Sequence, residues 1–134
     1  MNPRIGLCLV LLASALNAHR AAAAEPAIVR PSDAAATVGV GDLDVGATSL
    51  SGTVINKSSA TLKEVHLVLR QEFHWTNEMS PGDDSPGRAL PFKVETHIAP
   101  NSSAPFKFDF EPLPQRTDGT FTNSLEVTGF TKVE

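Results

Sequence analysis

The chain has 134 residues, 41% of them hydrophobic, a single cysteine and a formal net charge of −4. That is one small domain's worth of residues, enough for a single core. The acidic balance argues against nucleic acid, whose phosphates call for clustered Lys and Arg, and a lone cysteine excludes a disulfide framework.

Arg4 precedes an almost wholly apolar run from Ile5 to Leu16. Asn17, His19 and Arg20 interrupt it, and Ala21-Ala22-Ala23-Ala24 follows. Charge, apolar run and small residues, in that order, are the pattern of a secretory signal peptide. The run is shorter than the ~20 residues needed to span a bilayer, so no transmembrane segment is expected after cleavage. Cleavage is expected after Ala24, with Ala18 as the alternative site. The mature chain would then work in the periplasm or outside the cell. Cys8 stands too near the charged start to be a lipid-attachment site, and it departs with the signal. Without it, cysteine–zinc sites and cysteine nucleophiles drop out. Arg4 and Arg20 leave too, so 9 basic residues face 15 acidic ones, a net charge of −6 for residues 25–134.

Residues 25–36 are rich in Ala, Pro and Ser and lack sustained periodicity, which predicts a flexible leader. From Thr37 onward, apolar residues recur with period two between clusters of Gly, Pro, Asn, Asp and Ser. This predicts short antiparallel strands and turns over residues 37–134. Thr37 to Asp44 and Thr48 to Asn56 are the first two strands. The third is the clearest: Val65, Leu67, Leu69, Phe73 and Trp75 share one parity. Glu64, His66, Arg70, Glu72 and His74 hold the other, with Val68 among them. Gln71 interrupts the apolar row, which predicts a bend or an internally hydrogen-bonded amide.

Residues 76–88 carry two Pro-Gly pairs and Asp83-Asp84, and read as a long loop. Ala89 to Ile98 is the fourth strand, with Leu90, Phe92, Val94 and Ile98 on one side; Pro91 predicts a sheet edge. In the fifth strand Phe106, Phe108 and Phe110 face inward while Lys107, Asp109 and Glu111 face water. The last strand, Thr120 to Val133, turns Phe121, Leu125 and Val127 inward. Gly129 is expected to form a bulge that reverses parity at Phe130. Six or seven such strands predict a two-sheet antiparallel sandwich, with a small barrel as the competing architecture.

Leu50-Ser51-Gly52-Thr53-Val54-Ile55-Asn56-Lys57-Ser58 is followed by Leu62-Lys63-Glu64-Val65-His66-Leu67. A proline-led turn then precedes an aromatic strand at Ala99-Pro100-Asn101-Ser102-Ser103-Ala104-Pro105-Phe106. These features resemble FxLYD-type domains, immunoglobulin-like modules of exported or membrane-anchored bacterial proteins. The resemblance covers residues 48–110. It implies an immunoglobulin-like sandwich and transfers no catalytic residues.

Chemistry is sparse. His66 and His74 lie eight residues apart on one strand, or ~26 Å at ~3.3 Å per residue, too far to share a metal. A copper or zinc site would have to draw on His74, Glu78, Met79 and His97. No Gly-x-Ser-x-Gly elbow is present for nucleophilic catalysis. Asp83-Asp84 lacks the oxygen-ligand spacing of a calcium loop. Asn56-Lys57-Ser58 and Asn101-Ser102-Ser103 match the glycosylation sequon; both also suit turns. Trp75 stands at the mouth of the long loop, where it either closes the end of the core or anchors a recognition surface. The expected function is that of an exported, non-enzymatic module, without cofactor, that binds or organises proteins or envelope components. Trp75, Asn77, Glu78, Met79, Asp83, Asp84 and Arg88 are its candidate binding residues. The alternatives are a periplasmic copper- or zinc-binding protein and a hydrolase that pairs a Ser or Thr oxygen with a histidine.

Overall fold

The structure is a computed structural model that describes residues 27–28 and 31–133. Residues 1–24, expected from the sequence to be a signal peptide, lie outside the described residues. The elements are β1 (Ala27–Ile28), α1 (Pro31–Thr37), β2 (Val38–Val45), β3 (Ser49–Asn56), β4 (Thr61–Trp75), β5 (Arg88–Val94), β6 (Ser103–Asp109) and β7 (Gly119–Val133). They form two antiparallel sheets, one ordered β1-β7-β4-β5 and the other β2-β3-β6. The fold is thus an all-β two-layer sandwich. Among the described residues no helix is long and apolar enough to cross a membrane.

Alternation places the side chains as the period-two pattern requires. In β4, Val65, Leu67 and Leu69 are fully buried. In β3, Leu50 and Val54 meet them from the other layer as part of the same core. Val94, Ile98, Ala104 and Phe106 complete the centre, with Phe92, Phe108 and Phe110 packed against it. The Phe92 and Phe108 rings stack at 4.7 Å between centroids and close the side of the sandwich between the edge strands β5 and β6. Lys107, Asp109 and Glu111 face solvent. Gly52 lies under this row: a Cβ there would come within 2.9 Å of Phe106 Cζ. The backbone of β3 can approach the ring that closely only because the residue has no side chain.

Gln71 is 2% exposed and keeps its place in an unbroken register with Asn123. Its Nε2 donates to Asn123 Oδ1 at 3.0 Å, and its Oε1 accepts from Arg88 Nε at 2.7 Å. The interruption of the apolar row is therefore an internally bonded amide and not a bend. The parity change near Gly129 is present: the β4–β7 register shifts around His66↔Gly129, and Phe130 is buried. A second irregularity sits opposite, where Glu64 adopts a positive φ of 53°. Pro91 lies on β5, an edge strand, as its missing N–H predicts.

The leader expectation needs correction. Ala27–Ile28 pairs with Phe130 and Gly129 of β7, and Pro31–Thr37 is helical. Ala34 is fully buried and belongs to the core. Pro31 at the first helical position, Asp33 in the first turn and the run Ala34-Ala35-Ala36 favour this helix locally. Seven residues make only two turns, too few for a helical period to show. The fourth strand is also shorter than expected; it ends at Val94, and Ile98 meets Leu62 in an isolated bridge.

Candidate functional site

The loop 76–88 leaves β4 at Trp75 and returns at Arg88. Its organising residue lies elsewhere. Arg116, in the connection between β6 and β7, donates through Nε and Nη2 to Asp118 at 2.8 and 2.6 Å. Through Nη1 and Nη2 it also holds Asp84 of the loop, the Nη2 bond being 3.2 Å. A guanidinium fork suits two carboxylates in this planar arrangement. The same guanidinium lies 5.1 Å from the Phe73 ring centroid and 5.3 Å from that of Trp75. Beneath it, Phe73 makes edge contacts with Trp75 at 4.9 Å and with Phe121 at 4.8 Å. The loop backbone rests directly on the indole, since a Cβ at Gly82 would fall 2.5 Å from Trp75 Cη2. Trp75 therefore closes the end of the sandwich and stays half-buried, roofed by an arginine and a glycine.

The remaining candidates separate into two groups. Arg88 is structural: besides Gln71 it bonds the Glu111 carbonyl and stands 5.7 Å over the Phe110 ring. Of the acidic doublet, Asp84 is committed to Arg116. Asn77 shapes the loop tip, its Oδ1 accepting from Met79 N at 3.2 Å. Glu78, Asp83 and Met79 project into solvent, Met79 with 94% exposure. A groove of about 480 Å³ runs between the end of β4 and the returning loop, touching His74, Trp75, Ser85 and Arg88.

The metal set does not assemble. His74 lies near the end of β4, whereas His97 is beside Ile98, which bridges Leu62 at the start of that strand. At ~3.3 Å per residue the two histidines sit at opposite ends of the sheet. Among the described residues no three His, Cys, Asp or Glu side chains converge. His74 Nε2 does lie 2.9 Å from Thr122 Oγ1, a hydroxyl–imidazole pair. Both residues are exposed on the outer face of the sheet. Among the described residues no carboxylate bonds the other ring nitrogen, so the orienting group of a triad is not supplied.

Arg116 and Asp118 were not legible as site residues in the chain. Arg116 stands alone in a proline-rich connection, 32 residues from Asp84. The only local signal is an arginine two residues before an aspartate. Their charge coupling predicts acid sensitivity. Hydrogen bonds from Arg116 hold the Asp84 and Asp118 carboxyls below their ordinary values, against a smaller opposing effect of desolvation. A depressed folded-state pKa means the contribution is complete above the unfolded value of about 3.9 and is lost as pH falls through the folded values. Trp75 is the only tryptophan, so its fluorescence should be flat from pH 7 to 5 and step below about pH 4. In Arg116→Gln the step should vanish and the neutral-pH spectrum should match the acid form. A step of equal size in that variant would contradict the staple.

No protein-family model, curated protein or solved structure matches the chain.

Proposed function

We propose that the chain is an exported, non-enzymatic, immunoglobulin-like module that binds a protein or another envelope component through the loop 76–88. One observation carries this reading: Met79 is 94% exposed at the tip of a loop that Arg116 and Trp75 hold in place. An apolar, adaptable side chain on a preorganised loop suits protein recognition, because little ordering entropy is lost on binding. Glu78 and Asp83 beside it supply an acidic rim, which favours a basic partner surface. Export is supported by the charge, apolar run and alanines of residues 1–24. The likeness of residues 48–110 to FxLYD-type modules supports an extracytoplasmic binding role.

The test places a photo-crosslinking amino acid at Met79 and, as a control, at Asp109 on exposed β6, with crosslinking in the cells that make the protein. A discrete adduct from position 79 and none from position 109 is expected. Its loss in Arg116→Gln would tie recognition to the pinned loop. Equal labelling at both positions, or none, would overturn the reading. N-terminal sequencing of the exported chain should begin at Glu25.

A further inference from the structure

Readily oxidised side chains are scarce in residues 25–134. This stretch has no cysteine and no tyrosine, one tryptophan, Trp75, and one methionine, Met79. The two stand in opposite surroundings. Trp75 is half-buried: the Arg116 guanidinium lies 5.3 Å from its ring centroid, and a Cβ at Gly82 would fall 2.5 Å from its Cη2. Met79 is 94% exposed.

The backbone holds Met79 in place without help from its thioether. Met79 N donates to Asn77 Oδ1 at 3.2 Å, and Ser80 N donates to the Asn77 carbonyl at 3.2 Å. Further along the loop, Arg116 binds Asp84. The thioether has no part in the hydrophobic core. A change in its chemistry therefore alters what the loop presents and leaves the fold as it was. A buried methionine would behave differently, since a polar oxygen there disrupts packing.

We infer that Met79 is a modification site: two-electron oxidants, hypohalous acids or peroxides, convert its thioether to the sulfoxide, and the sulfoxide weakens the hold of the loop on its partner. In this step the sulfur gives up two electrons and forms one bond to oxygen. Hydrogen peroxide loses that oxygen and leaves as water; hypochlorous acid leaves as chloride and a proton. An apolar, adaptable side chain becomes polar and chiral. A partner surface shaped for the thioether must then desolvate the new oxygen without a hydrogen bond to offer it. Methionine sulfoxide reductases reverse the change. The effect on the partner rests on the reading of the loop 76–88 as a recognition surface; the selectivity for Met79 does not.

The experiment treats the purified chain with less than one equivalent of hypochlorous acid and maps its peptides by mass spectrometry. One added oxygen is expected at Met79 in about tenfold or greater excess over Trp75 and the histidines, with the melting temperature unchanged. For the second arm a photo-crosslinking amino acid replaces Ser80, which leaves Met79 in place. That chain is added to the envelope fraction of the cells that make the protein, either untreated, oxidised, or oxidised and then repaired by methionine sulfoxide reductases. The adduct is expected to fall about tenfold on oxidation and to return on repair. Oxygen on Trp75 or a histidine before Met79, or a melting temperature lowered by the oxygen on Met79, would overturn the inference. So would an adduct that oxidation leaves unchanged or that repair does not restore. An untreated chain that forms no adduct would overturn the recognition reading and the partner half of this inference with it, while the mass map alone decides the selectivity.

Discussion

Phe106→Ala is expected to cost about 3–5 kcal/mol, the range for truncating a buried aromatic ring. Phe106 is 7% exposed, stacks against Phe108 at 5.8 Å and covers Gly52 of the neighbouring strand. Its removal takes apolar contact from the centre of the sandwich. The rigid β3–β6 ladder, seven residue pairs long, limits collapse into the gap. A domain of this size is stable by only about 5–15 kcal/mol. At roughly 4–8 °C per kcal/mol, the melting temperature should fall by about 12–40 °C. Phe110→Ala, at a half-exposed ring, should cost distinctly less. Lys107→Ala, on the wet face of the same strand, should stay within about 0.5 kcal/mol. Urea denaturation of the three variants is the measurement. Equal losses for Phe106→Ala and Lys107→Ala would show that this strand is not oriented as described.

Asn56→Asp is the second substitution with a large expected effect, although it changes only an amide to a carboxyl. Asn56 is fully buried. Its Nδ2 donates to the carbonyls of Ala60, Ile98 and Ala99 at 2.7, 3.0 and 3.1 Å. Its Oδ1 accepts from Ser58 N at 2.9 Å and Ser58 Oγ at 2.7 Å. One side chain thus ties the turn between β3 and β4 to the connection between β5 and β6. Asn56→Ala strands several of these groups, at about 1–3 kcal/mol for each left buried without a partner. A loss of about 2–4 kcal/mol in total is expected, because water can reach the partly exposed ones. The aspartate should be worse at neutral pH, since a carboxylate would face three carbonyl oxygens with no proton to give. Burial and those oxygens would raise its folded-state pKa. Its deficit should therefore be smallest below about pH 4 and grow as pH rises through the raised value. The difference in stability between the aspartate and alanine variants, followed from pH 7 to 4, checks this. A pH-independent difference would mean that the carboxylate reaches water. The same burial keeps Asn56 from serving as a glycosylation acceptor in the folded chain, whereas Asn101 is exposed at a turn with φ 53°.

The two ends of the sandwich are thus held by different chemistry. A buried neutral amide, Asn56, clamps one end; its bonds need no solvent and do not titrate. A half-buried arginine between two exposed carboxylates, Arg116, clamps the other, on the loop that projects Met79. Ion pairs whose carboxylates stand in solvent contribute little to global stability, so the loop can be loosened without unfolding the core. The acid step in Trp75 fluorescence and the denaturation of Phe106→Ala accordingly report on separate parts of the molecule.

Particular residues show what could be read before the structure. Val65, Leu67 and Leu69 are buried because period two is imposed by the pleat of their own strand. Gln71 announced itself as polar within an apolar row, and Phe106 to Phe110 alternate without interruption. Pro91 declared an edge because proline lacks the N–H that an inner strand needs. The helix at Pro31–Thr37 escaped because it is too short to repeat and is held by burial of Ala34 in the core. His74 and His97 looked like partners only while their strands had no known places.

From the chain alone came the inside and outside of each strand, the turns, and the thiol-free character of residues 25–134, because each depends on a residue and its near neighbours. Tertiary structure alone decided that β4 lies between β5 and β7, that Arg116 reaches Asp84, and that Asn56 meets Ile98 and Ala99. Each of these joins groups far apart along the chain. Such pairings arise when two sheets close over one core, and no local period encodes them.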